Sequence, residues 1–156
     1  MQSLTYFLAA TVSFSGIIAG AVLAFFTKEE MKPGRNYFEL LQKALLAATA
    51  AVFVYYLGLQ LPVRITIYAA LILLLALSRS INSSIAYASL GAVFYFSSFN
   101  KQPFLIISAL IFLYGMPTGS LIVAGRIRTP KSEAVKKALI TGAGFLAVAV
   151  FLGLFL

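Results

Sequence analysis

The sequence predicts an all-α fold, a polytopic integral membrane protein whose single domain, residues 1–156, is a bundle of six transmembrane helices. Three observations predict it. Hydrophobic residues make up 62% of the chain and charged residues only 10%, against roughly 25% charged in an ordinary soluble domain. The apolar residues gather into six runs, each near the roughly 20 residues that a helix needs to cross hydrocarbon. The basic residues fall between those runs with a strong bias to one side, as positive-inside topology requires.

The runs follow one another at 4–26, 40–59, 62–78, 81–99, 104–124 and 138–156. The first, Leu4–Phe26, has no charge, and the first basic residue after it is Lys28, so it is expected to stay as a helix rather than serve as a secretory leader. Ala9, Ser13, Gly16, Gly20 and Ala24 recur along it at helical spacing, a small-residue face built to let another helix come close. The second run, Leu40–Leu59, follows a charged loop at 27–39. The third, Pro62–Ser78, opens on a proline, which a first helical turn tolerates because its N–H has no intrahelical partner. It and the fourth run, Ile81–Phe99, sit near the short limit for a span. The fifth is Phe104–Ala124. A second charged loop, 125–137, leads into the sixth, Ala138–Leu156, and there Ser132 is placed to cap the incoming helix.

Counting lysine and arginine orients the bundle. Lys28, Lys32, Arg35, Lys43, Arg79, Arg126, Arg128, Lys131, Lys136 and Lys137 share one face, ten of the twelve, and only Arg64 and Lys101 fall on the other. Six spans with that face cytoplasmic place both ends of the bundle chain outside, in a multi-pass protein of the cell membrane. A faint similarity between 41–59 and 135–155, each running from a basic residue before Ala-Leu to Leu-Gly-Leu or its near equivalent, suggests construction from helical hairpins. Shared alanine and leucine content accounts for the same likeness.

Chemistry-bearing side chains are scarce. There is no aspartate, histidine, cysteine or tryptophan, and the four acidic residues are Glu29, Glu30, Glu39 and Glu133. No catalytic residue, metal site or cofactor is therefore expected, and a lipid-modifying enzyme that grips a phosphate headgroup with arginine ranks last. No charge lies deep within a run, which argues against proton coupling. The net charge of +8 is gathered at the ends of apolar segments rather than in a soluble domain. It points to anionic lipid headgroups on the cytoplasmic face and not to nucleic acid.

Two constellations remain. In the fourth run Ser84, Tyr87, Gly91, Tyr95 and Ser98 recur every three or four residues, a hydroxyl stripe expected to face the bundle interior. In the fifth, YGMPTGSL sets Pro117 among Gly115, Thr118, Gly119 and Ser120. Proline removes a donor and frees the carbonyl four residues earlier, while the Gly-x-x-x-Gly spacing allows close backbone approach. One expectation is a kinked, tightly packed helix. The other is a broken helix lining a solute site, with Arg79, Arg126 and Arg128 forming a basic mouth for an anion or lipid headgroup. The functional expectation is a small permeation pathway or carrier for a small neutral or anionic solute, not proton-coupled. The alternative is a non-transporting subunit or assembly factor of a membrane complex. Membrane lipids, copies of the same chain or other membrane proteins are the expected partners.

Overall fold

A computed structural model describes residues 3–27, 31–78, 82–125 and 131–154. These fold into α1 (Ser3–Phe26), α2 (Met31–Tyr56), α3 (Leu61–Leu77), α4 (Ser83–Ser97), α5 (Lys101–Ala124) and α6 (Lys131–Gly153), with no strand among the described residues. Four of them, α1, α2, α5 and α6, are long and apolar enough to cross a membrane. α3 is apolar but has 17 residues and α4 has 15, at or below the usual length of a span.

Two helices begin well before their apolar runs, by seven residues or more. α2 starts at Met31 and α6 at Lys131, so much of each charged loop is helical. Pro33 lies in the first turn of α2, where a missing N–H costs little, and Arg35 Nε bridges Glu39 Oε1 one turn later at 2.9 Å. Asn82 caps α4 by accepting the Ser84 N–H at 3.2 Å. The α2–α3 turn carries Gly58 at φ 66°, a left-handed position that suits glycine.

Residue pairings fix the helix directions. Ser13 meets Ser108 and Gly20 meets Ser120, so α1 and α5 run parallel. Tyr6 meets Ala149 while Gly142 lies against Phe14, so α1 and α6 are antiparallel. Gly144 lies by Ser84 and Gly91 by Val148, so α4 and α6 are parallel. Arg64 sits over Tyr55 and Tyr68 bonds Ala51, so α2 and α3 are antiparallel. The start of α1 and the end of α6 therefore share one end of the bundle; the end of α1 and the starts of α2 and α6, with Arg35, Glu39, Glu133, Lys136 and Lys137, share the other, the charged end.

α5 is the hub: α1, α2, α4 and α6 all pack on it. The closest pairs are α1 with α5, α4 with α6 and α2 with α5, and none of these is a sequence-adjacent hairpin. α1 and α2 scarcely touch. α3 packs chiefly on α2, and Leu75 is its one buried residue. The seam between α1 and α5 joins two Gly-x-x-x-Gly faces. A Cβ at Gly16 or Gly20 would strike the backbone of Phe112 or Met116, and one at Gly115 or Gly119 would strike that of Gly16, Ile17 or Ala21. The helices approach this closely only because all four positions lack a side chain. The Ser13 and Ser120 hydroxyls donate across the seam to the carbonyls of Ser108 and Gly20, at 3.1 and 2.8 Å. At the end where α1 begins, Tyr6, Phe94, Phe104 and Phe145 make a buried aromatic layer, with rings 5.0 to 5.4 Å apart along the Phe94 contacts.

Candidate functional site

Among the described residues, a cluster of buried polar side chains shared by three helices lies between α2, α4 and α5, toward the charged end. Its centre is Gln42, 6% exposed, on a face of α2 that continues through Phe38, Leu45, Thr49 and Phe53. The Gln42 amide donates to Thr118 Oγ1 at 3.0 Å, to Tyr114 Oη at 3.2 Å and more weakly to Ser83 Oγ at 3.4 Å. An amide has two N–H hydrogens, so the three hydroxyls share them. Thr118 in turn donates to the Tyr114 carbonyl at 2.8 Å, which locks its rotamer and leaves its lone pairs toward Gln42. Tyr87 from α4 packs edge-on against Tyr114, with ring centroids 5.4 Å apart. Its side chain is 1% exposed, and its hydroxyl approaches Thr118 without forming a well-aligned hydrogen bond. A buried hydroxyl left in this way costs free energy unless something accepts its proton.

The two sequence constellations are dispersed by the fold. Of the hydroxyl stripe, Tyr87 reaches the cluster. Ser84 is exposed at the start of α4, contrary to the expected inward face, because the α4 surface against α5 and α6 runs through Ala86, Tyr87, Leu90, Gly91 and Phe94. Tyr95 is half-buried near the opposite end, against Phe96 and Phe99, and Ser98 bonds its own helix at the Tyr95 carbonyl. The broken-helix expectation is corrected: α5 is continuous through Pro117. Gly115, Pro117, Thr118, Gly119 and Ser120 are all buried. The two glycines and Ser120 serve the α1 seam, and Thr118 alone belongs to the polar cluster. Neither hydroxyl answers the Leu113 carbonyl that Pro117 deprives of a donor. Arg79, Arg126 and Arg128 lie outside the described residues.

Sequence reasoning missed Gln42, Ser83 and Tyr114. The available signal was the α2 face Phe38, Gln42, Leu45, Thr49 and Phe53, on which Gln42 is the one amide. It also missed Lys43, whose ammonium donates to the Ser78 carbonyl at the end of α3 at 2.6 Å and so ties α3 to α2. Among the described residues no group of three or more His, Cys, Asp or Glu side chains comes together. The cluster is uncharged; the Gln42 N–H groups and the Thr118 O–H are used within it, and the Tyr87 hydroxyl is the group left without a hydrogen bond.

No known protein family, curated protein or solved structure matches the chain.

Proposed function

We propose that this chain is an integral membrane protein with six spans, the start of α1 and the end of α6 both on the outer side, and that it acts as a carrier for a small neutral solute. Membrane insertion is supported by the four long apolar helices and by the many large apolar side chains turned outward, among them Leu8, Val12, Leu74, Ile85, Leu105 and Phe151. A soluble bundle rarely exposes so much contiguous apolar surface. The observation that carries the solute reading is the buried Gln42 amide held among hydroxyls of α4 and α5, beside the under-satisfied Tyr87 hydroxyl. Polar groups inside a span are costly and tend to mark a solute path. The aromatic layer of Tyr6, Phe94, Phe104 and Phe145 closes the bundle toward the opposite end, which suits a carrier better than an open pore. The lack of aspartate, histidine and cysteine weighs against catalysis.

The test is solute uptake by liposomes carrying the purified protein, compared with empty liposomes across small amides, polyols and inorganic ions. Uptake of one neutral class, abolished by Gln42→Leu in a protein that still folds, is the expected result. Uptake indistinguishable from empty liposomes throughout the panel refutes the carrier.

One observation favours the second reading, a non-transporting membrane-complex subunit. α3 stands against α2 and turns Ile72, Leu73, Leu74 and Leu77 outward, a helix face available to another membrane protein. Co-purification of a stoichiometric partner that is lost when these residues are replaced by alanine would support that reading.

A further inference from the structure

Although α1 and α2 are consecutive, both lean on α5 and leave a space between them. That space is a cleft of about 400 Å³ walled by Leu23 from α1, Phe38, Leu41 and Leu45 from α2, and Met116 and Pro117 from α5. Its two hydroxyls face away in hydrogen-bonding terms: Thr27 donates to the Leu23 carbonyl at 3.1 Å and Ser120 to the Gly20 carbonyl at 2.8 Å. The walls therefore offer only hydrocarbon. Leu23 and Leu41 are each about half exposed on the rim, so the cleft opens sideways.

Two features identify the occupant. The first is length. Along α2 the lining runs from Phe38 to Leu45, about 10 Å at 1.5 Å per residue, and one leaflet of hydrocarbon is about 15 Å deep. The cleft thus reaches from one interface toward the midplane, the reach of a chain from a single leaflet. The second is charge. Thr27 and Phe38 lie at the end of the bundle where, among the described side chains, Arg35, Lys43, Lys136 and Lys137 stand against Glu39 and Glu133, a net of +2. An anionic headgroup at that interface is favoured by about 1 kcal/mol for each nearby basic residue.

We propose that the α1–α2–α5 cleft seats one acyl chain of an anionic phospholipid whose headgroup rests against the basic end of the bundle. The proposal rests on the membrane reading above and is independent of transport. The lipid fills the gap that α1 and α2 leave and packs on the Pro117 ring, so it acts as part of the packing around α5.

The full-length protein, purified in detergent, is titrated with phosphatidylglycerol and with phosphatidylcholine of matched chains and observed by native mass spectrometry. The expected result is one phosphatidylglycerol retained under activation that strips phosphatidylcholine. Leu45→Trp, which fills the cleft, weakens that binding about tenfold, the loss that follows from displacing about two methylenes. Leu41→Trp on the exposed rim does the same in a variant less exposed to folding failure. Leu8→Trp, on the separate groove between α1 and α5 at the other end, leaves it unchanged. Equal retention of both lipids, or binding undiminished in both cleft variants, overturns the proposal. So does a dimer mass that the cleft variants abolish, which would assign the cleft to a second copy. Alkaline extraction of membranes from expressing cells separates the failures: a chain released into solution defeats the membrane reading itself, whereas a retained chain without lipid selectivity defeats only the lipid site.

Discussion

Gly115→Ala tests the central seam most directly. A Cβ at this position would lie 2.5 Å from the Ile17 nitrogen and 2.6 Å from the Gly16 carbonyl carbon, whereas ordinary contacts fall at 3.4 to 4 Å. The obstructing atoms are backbone, so no rotamer change relieves the overlap, and α1 must move away by about 0.9 Å (3.4 − 2.5). Overpacking of this kind costs about 1–3 kcal/mol. The same displacement stretches the Ser13 and Ser120 bonds across the seam, at about 0.6 kcal/mol each. Alanine returns up to about 1 kcal/mol through its better helix propensity. The net loss is about 1–3 kcal/mol, and at about 2–4 °C per kcal/mol for a chain of this size it lowers Tm by about 2–12 °C. The assay is thermal unfolding in detergent, monitored by circular dichroism or by loss of monodisperse protein. Gly34→Ala is the control, because its Cβ would meet only the Phe38 ring, at 3.5 Å; that variant should melt at or above the wild-type temperature. If Gly115→Ala melts no lower than wild type, the glycine seam does not hold α1 on α5.

The same melting assay separates two neighbours on α4. Ala86→Leu, at a position 6% exposed, should destabilise by about 1–3 kcal/mol, whereas Ser84→Leu at an exposed position should be nearly neutral; equal effects would contradict the α4 face described above. Pro117→Ala restores a donor for the Leu113 carbonyl in a helix that is already continuous, so the variant should fold with stability at or above wild type, and a collapse of the fold would show that the proline ring itself is required. Glu39→Gln removes an exposed bridge to Arg35 and should cost less than about 0.5 kcal/mol; a larger loss would mean that the pair anchors the start of α2. Single cysteines at Ser3, Arg35 and Ser132 in this cysteine-free chain report orientation through an impermeant thiol reagent, with labelling in intact cells expected at position 3 alone.

Much of the helical framework was legible in the sequence, because unbroken apolar runs and breaker residues act locally. α1 and α5 follow their runs within a few residues. α2 and α6 start earlier than hydropathy alone indicates: 131–137, KSEAVKK, is mostly good helix formers though too polar for hydrocarbon, and 31–39 is helical despite Gly34 and Asn36, with Pro33 in the first turn, where it is tolerated. The small-residue face of α1 was legible as a packing face, and so was the glycine pair on α5. That each is the other's partner was not: complementarity between faces nearly 100 residues apart is a property of two surfaces together, and neither run records it. The proline showed how a related inference fails. A missing N–H can break a helix, but α5 runs unbroken through Pro117 with α1, α2, α4 and α6 packed around it, in line with the alternative expectation of a tightly packed helix.

By itself, then, the sequence determined an apolar, helical, charge-sided chain, because composition and a 3.6-residue period are local quantities. Only the tertiary structure decided which polar groups meet. A single glutamine on α2 is unremarkable until α5 presents Tyr114 and Thr118 to it and α4 brings Tyr87 alongside, while Ser84, in phase with Tyr87 by simple counting, turns out of the bundle. The physical reason is that a helix has several faces of similar character. The choice among them is made by close packing of the whole bundle, here by glycine contacts that set α1 on α5 and α4 on α6 and so fix which side chains are left to face one another.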